Sequence, residues 1–181
     1  VCYAHSLCLS ADVTAAYDPN FAEAYEKRNS ARLNYGVGLC KYTGARGKSE
    51  ASDASAEVVA RVRRMLDDNN VLWQMAELGK VDYGGGGTIA QYMANRNIDT
   101  LDAGVPVLAM HAPFETVSKL DCYMTYKAMR ALYEEARTVK KRKSLSLMRK
   151  ALFVDCLFSF FNFCTIISFY VHLFREKGEL P

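Results

Sequence analysis

From its first residues the chain alternates short apolar runs with longer stretches of helical period. Ser6 to Ser10 is expected to form a short buried strand that ends at Asp12. Asp18-Pro19-Asn20 and Asn34 to Gly38 carry turn chemistry. Val37 to Tyr42 alternates weakly and suits a strand, followed by a polar, glycine-containing loop over 43–49. Between Asp53 and Leu66 the apolar positions Ala56, Val59, Ala60, Val62 and Met65 keep close to helical spacing. Ser52 or Asp53 is available as N-cap there, and Asn69-Asn70 as the stop. Val71 to Met75 reads as a strand, Thr88 to about Arg96 as a helix opened by a glycine run, and Leu101 to Met110 as a strand. Lys119 to Arg137 is expected to be a long amphipathic helix, with Leu120, Tyr123, Met124, Ala128, Ala131 and Leu132 in period and Lys127 the polar intruder. Strand and helix alternate, so the fold class is α/β: a partial mixed sheet flanked by helices. No internal repeat is visible.

At 181 residues the chain can hold one domain with a sizeable core. Its pattern changes near residue 138. Up to 137 it is an ordinary globular mixture; 138–181 is a basic linker (Lys140, Lys141, Arg142, Lys143, Arg149, Lys150) followed by a Phe-rich apolar tail. The formal charge of +3 owes much to that linker and says little about partners. The linker lacks aromatic interleaving, so a nucleic-acid partner is not expected. The run Ala151 to Phe174 is long enough to span a bilayer, but Asp155, Asn162 and His172 inside it are costly in lipid, so a membrane partner is not expected either. Six cysteines stand without a CxxC pair, which points to free thiols in a reducing cytoplasm rather than a disulfide frame or a thiolate zinc site. The chain opens without methionine in an apolar segment, and is read as a fragment whose upstream half is missing.

Three short blocks carry the chemistry. Met110-His111-Ala112-Pro113-Phe114-Glu115 follows the apolar run Val105 to Ala109. There the strand would fix the origin of an imidazole, the proline would stop the strand, and Glu115 could orient the ring. Ser10-Ala11-Asp12-Val13 places a carboxylate just after another strand. A metal-dependent hydrolase needs such carboxylates and histidines arriving from several strand ends. A lone aspartate after a strand is commonly a cap, and a lone histidine commonly a hydrogen-bonded core residue, so spacing alone leaves ligation open. Gly84 to Gly87 with Thr88-Ile89-Ala90 lacks the lysine of a P-loop and the third glycine of a dinucleotide fingerprint. Its glycines still allow close approach of the backbone to a ligand, or simply a tight turn.

Taken in order, these blocks resemble the C-terminal part of the catalytic domain in dinuclear zinc aminopeptidases of the aspartyl aminopeptidase and vacuolar aminopeptidase I type. The resemblance covers roughly residues 1 to 136 and is strongest from Leu72 to Leu132. It implies that Asp12 serves one zinc ion and His111 the other. It implies that Gly86, Gly87 and Thr88 line the substrate cleft, and that Lys41 matches a lysine able to pair with a substrate carboxylate or an acidic neighbour; an ordinary edge-strand lysine is the alternative. Asp82 resembles a family aspartate, while Tyr83 departs from the smaller or amide-bearing residue expected there. Glu115 is expected to support His111 or to start a helix rather than act as general base, because the family's base and its three other metal ligands lie upstream. No catalytic acid or base is therefore expected in this segment, and the chain alone should be inactive. A histidine-rich stretch of eukaryotic relatives is replaced by Asp12 to Pro19, which implies a bacterial branch. The complete enzyme is expected to carry two zinc ions, to remove N-terminal residues from peptides, and to be a homo-oligomer. The competing reading, from another class, is a non-catalytic α/β scaffold tethered to a membrane by its C-terminal apolar helix.

Overall fold

The computed structural model describes residues 3–42, 44, 52–80, 83–85 and 87–142, with side chains as far as 135. The strands are β1 (Leu7–Ala15), β2 (Val37–Cys40), β3 (Trp73–Met75), β4 (Asp99–Leu108) and β5 (Thr116–Val117). The helices are α1 (Ala56–Asp68), α2 (Ala90–Ala94) and α3 (Lys119–Arg142). The sheet runs β1-β4-β2-β3, with β5 paired to the end of β4. β1 lies parallel to β4, β2 antiparallel to β4, and β3 parallel to β2. A mixed α/β sheet flanked by helices is thus what the alternation of patterns predicts.

In the central pair β1 is longer than the pattern suggests, and β4 is shifted two residues toward the N-terminus. β1 keeps register with β4 from Leu7 opposite Asp99 to Ala15 opposite Val107. Asp12 therefore stands inside the strand, not beyond its end. β4 begins at Asp99 and stops at Leu108, because Ala109 turns into the left-handed region at φ 55°. Pro113 is not the terminator. Pro106 lies within β4 where neither β2, which pairs 102–104, nor β5, which pairs 107 and 108, faces it, so its missing N–H breaks no bond to either strand.

Helix boundaries shift for local reasons. Residues 53 and 54 are held in extended pairing with 41 and 42, through the Tyr42–Asp53 bridge and the Ala54 N–H donating to the Lys41 carbonyl at 2.8 Å. α1 cannot begin until that pairing ends. Its cap is Ser55, whose hydroxyl accepts from the Val58 N–H, rather than Ser52 or Asp53. It stops at Asn69, as the asparagine pair predicts. α2 is two residues shorter at each end than the pattern, because the Thr88 hydroxyl is engaged with the sheet and the chain turns after Asn95.

α1 and α3 cover one face of the sheet. Val58, Val59, Val62, Met65 and Leu66 of α1 recur at helical spacing and pack with Leu7, Leu9, Val37, Leu39, Leu101 and Ala103 from the strands and Ala128, Ala131 and Leu132 from α3. Burying each large apolar side chain contributes about 1.5–3 kcal/mol, and this layer holds most of them. Asp121, in the first turn of α3, accepts from the backbone N–H groups of Asn34 and Gly36, both at 2.8 Å. Those two residues have φ of 69° and 87°, so the carboxylate pins the left-handed turn that launches β2. Among the described residues no helix is long and apolar enough to cross a membrane. The Ala151–Phe174 run lies outside them.

Candidate metal centre and its polar sheet face

Side chains alternate across a strand, so the residues between those of the helix-covered layer face the other way. On that opposite face Cys8, Ser10, Asp12 and Thr14 of β1 stand beside Thr100, Asp102, Gly104 and Pro106 of β4, and beside Gly38 and Cys40 of β2. Two cross-strand rows result: Ser10–Asp102–Cys40 and Asp12–Gly104–Gly38. This is a polar, small-residue face on a sheet whose other side packs an apolar layer under the helices.

Ser10 and Thr14 are each 1 % exposed, yet Asp12 between them is open to solvent. Its Oδ1 accepts the N–H of Val13 at 2.8 Å, and its other oxygen makes no hydrogen bond among the described residues. The neighbouring position on β4 is Gly104, where an added Cβ would come within 2.7 Å of the Asp12 carbonyl oxygen. Without a side chain there, Thr14 reaches across β4 to β2. Its Oγ1 lies 3.5 Å from the Cys40 sulfur, and its methyl would meet a Cβ on Gly38 at 2.6 Å. Burial pushes the Cys40 thiol up to about 12, with Asp102 and Glu77 adding to the rise against the Thr14 hydroxyl. That thiol is inert at neutral pH.

Asp102 is the buried acid of this face, and the sequence pattern does not single it out. Its signal is one acid in the apolar run from Leu101 to Leu108. The side chain is 7 % exposed, and its Oδ2 accepts from the Thr88 hydroxyl at 3.0 Å. No hydrogen bond to Oδ1 forms among the described residues. Burial raises its carboxyl to about 6; the nearby Ser10 and Thr88 hydroxyls lower it, and the charge of Asp12 raises it further.

His111 lies in the loop of residues 109–115 that joins β4 to β5, where Leu108 pairs with Thr116. Its φ is 69°, and Ala109 is left-handed as well. Two such non-glycine residues in one short loop store strain of about 1–3 kcal/mol each. The Glu115 carboxylate accepts the backbone N–H of His111 at 2.5 Å. That contact is to the backbone; the imidazole is exposed and makes no hydrogen bond among the described residues. Asp12 lies in the carboxyl-ward half of β1, and His111 lies beyond the carboxyl end of the adjacent parallel β4. Roughly 13 Å of strand separates the Asp12 row from the last residue of β4. Among the described residues, no three His, Cys, Asp or Glu side chains converge as a metal-holding group.

The remaining candidates have defined neighbours or fall outside the described residues. Lys41 forms an ion pair with Asp53. Thr88 points its hydroxyl into the sheet. An added Cβ on Gly87 would meet nothing within 4 Å, so open space lies beside its backbone. Gly86 and Asp82 lie outside the described residues. The donor set suits zinc: a carboxylate oxygen and an imidazole nitrogen, both accessible, each with an unengaged ligating atom.

Fold and face together define a segment of an α/β domain that carries an accessible carboxylate and histidine at one side of its sheet. Residues 1–133 match the family described as aminopeptidase I zinc metalloprotease (M18), and the chain belongs to that family. It is 52 % identical over 130 residues to a probable M18 family aminopeptidase 1 of Thermotoga neapolitana, covering 72 % of this chain and 29 % of that protein. Among solved structures it is similar to the M18 aminopeptidase of Thermotoga maritima, with a TM-score of 0.67, 52 % identity, and 70 % and 28 % of the two chains covered. It is also similar to aminopeptidase I of Clostridium acetobutylicum, with a TM-score of 0.65, 53 % identity, and 68 % and 27 % covered. These relatives are bacterial, in line with the branch that the Asp12 to Pro19 stretch implies. The chain spans less than a third of their length.

Proposed function

We propose that this chain contributes two metal-holding side chains, Asp12 and His111, to the centre of a zinc aminopeptidase that releases N-terminal residues from peptides. The observation that carries the reading is the exposure of Asp12 in a row otherwise closed to solvent, in a chain of a zinc metalloprotease family. Asp12 would hold one of two ions and His111 the other, with three further ligands and the general base supplied from outside this segment. Zinc, when bound, polarises the scissile carbonyl and lowers the pKa of a water. The chain's own residues bind and orient. Glu115 holds the backbone of His111, the Gly86-Gly87-Thr88 segment offers main chain to the substrate, and Lys41 with Asp53 closes the far end of β2. The catalytic part is residues 1–137, with 138–181 a separate linker and tail. The complete protein is read as a cytoplasmic homo-oligomer, with no nucleic-acid or membrane partner.

The test is an exchange protein, the Thermotoga maritima relative with its matching segment replaced by residues 1–133. It should hydrolyse aminoacyl anilides and lose that activity to chelator, while the 181-residue chain alone should hydrolyse none. Chelator-insensitive cleavage, or an inactive but folded exchange protein, overturns the reading.

A further inference from the structure

We propose that Asp102 is a positioning residue: through the Thr88 hydroxyl it fastens the glycine segment to the polar face beside Asp12, so that the segment's backbone meets the substrate in a fixed place. The inference rests on the aminopeptidase reading above.

The Thr88 hydroxyl has two tasks, donating to Asp102 Oδ2 at 3.0 Å and accepting the Ala90 N–H at 3.2 Å. It therefore couples the sheet to the entry of α2. Before it, the Gly84 N–H donates to the Lys80 carbonyl at 2.7 Å. Gly87 borders open space, and Gly85, with φ 108°, lies so close to the Gly44 carbonyl that a Cβ would come within 2.2 Å. α2 itself has five residues, too few to be rigid alone.

The anchor is also near the candidate centre. Asp102 and Asp12 share one face of adjacent strands, two register steps apart, which puts their Cα atoms roughly 8 Å from each other. The hydroxyl's partner is an acceptor oxygen buried on that face, whose companion oxygen makes no hydrogen bond among the described residues. A carboxylate at this point does hold the loop where it can present main-chain groups toward Asp12.

The exchange protein separates the two claims. Without variants, its activity tests the aminopeptidase reading; the variants below test the anchor. Thr88→Val should raise KM about tenfold while kcat stays within about threefold and zinc content is unchanged, the pattern of lost substrate positioning. Thr88→Ser should bring KM back to within about twofold. Asp102→Asn, whose amide oxygen still accepts from Thr88, should keep KM near the parent. Asp102→Ala should match Thr88→Val, with the double variant no worse than either single one. An unmoved KM in Thr88→Val overturns the inference. So does a failure of Thr88→Ser to restore it, or a joint fall of kcat, zinc content and melting temperature with KM unchanged. Should Thr88→Val not fold, the Asp102→Ala and Asp102→Asn pair decides by the same criterion.

Discussion

The two faces of this sheet divide the labour. Toward α1 and α3 the positions packed under the helices are apolar and buried, and the layer reads as a conventional core. Toward the other side, the same three strands present serine, threonine, aspartate, cysteine and glycine, with one carboxylate buried and one exposed. A single period of two along each strand therefore writes stability on one face and chemistry on the other. A change on the first face should act on folding, and one on the second on ligand and proton.

The largest effect expected on stability is on the helix-covered face. Leu66 is fully buried, so Leu66→Ala should cost about 2–5 kcal/mol in denaturant unfolding of the exchange protein, with zinc content unchanged once folded. A loss below about 1 kcal/mol would break the contrast between the faces.

Next comes the buried acid of the polar face. Its folded pKa of about 6 lies above the unfolded value of 3.8, so the native state holds the proton more tightly. The stability linked to it is fully present below 3.8 and is lost as pH rises through 6. At 1.36 kcal/mol per pH unit, the span amounts to about 3 kcal/mol. Asp102→Asn should remove that slope from the metal-free protein, and make it more stable than the parent at pH 7. An unaltered pH profile would place the titration elsewhere.

The smallest effect belongs to the exposed ion pair beyond β2. Lys41 and Asp53 are a largely exposed pair, and Lys41→Ala should change stability by about 1 kcal/mol or less. A larger loss would mean that the pair, and not the backbone bridge beside it, holds the entry to α1.

How far these features were legible in the sequence follows the same division. β4 and α3 could be read directly, because a long apolar run and a sustained 3.6 period are strong signals. β1 was legible only to Ser10, since the polar side chains at 10, 12 and 14 belong to a face that alternation makes polar, and they resemble a strand ending. The Ser55 cap was hidden by the pairing of residues 41–42 with 53–54, a long-range contact that local pattern does not carry. β5 has two residues and no pattern of its own. Of the site, Asp12 and His111 stood out by motif. Asp102 did not, because one acid in an apolar strand gains meaning only when Thr88 and Asp12 are placed beside it. The grip of Glu115 on the His111 backbone N–H was not legible, because it required the left-handed turn to be seen.

The most direct measurement of the central claim is zinc per chain in the folded exchange protein, taken for the parent and for the single variants Asp12→Ala and His111→Ala. About two ions in the parent and about one in each variant, with melting temperature of the metal-free form little changed, is the expected result. Both ions retained in either variant would contradict the assignment of that side chain to the metal.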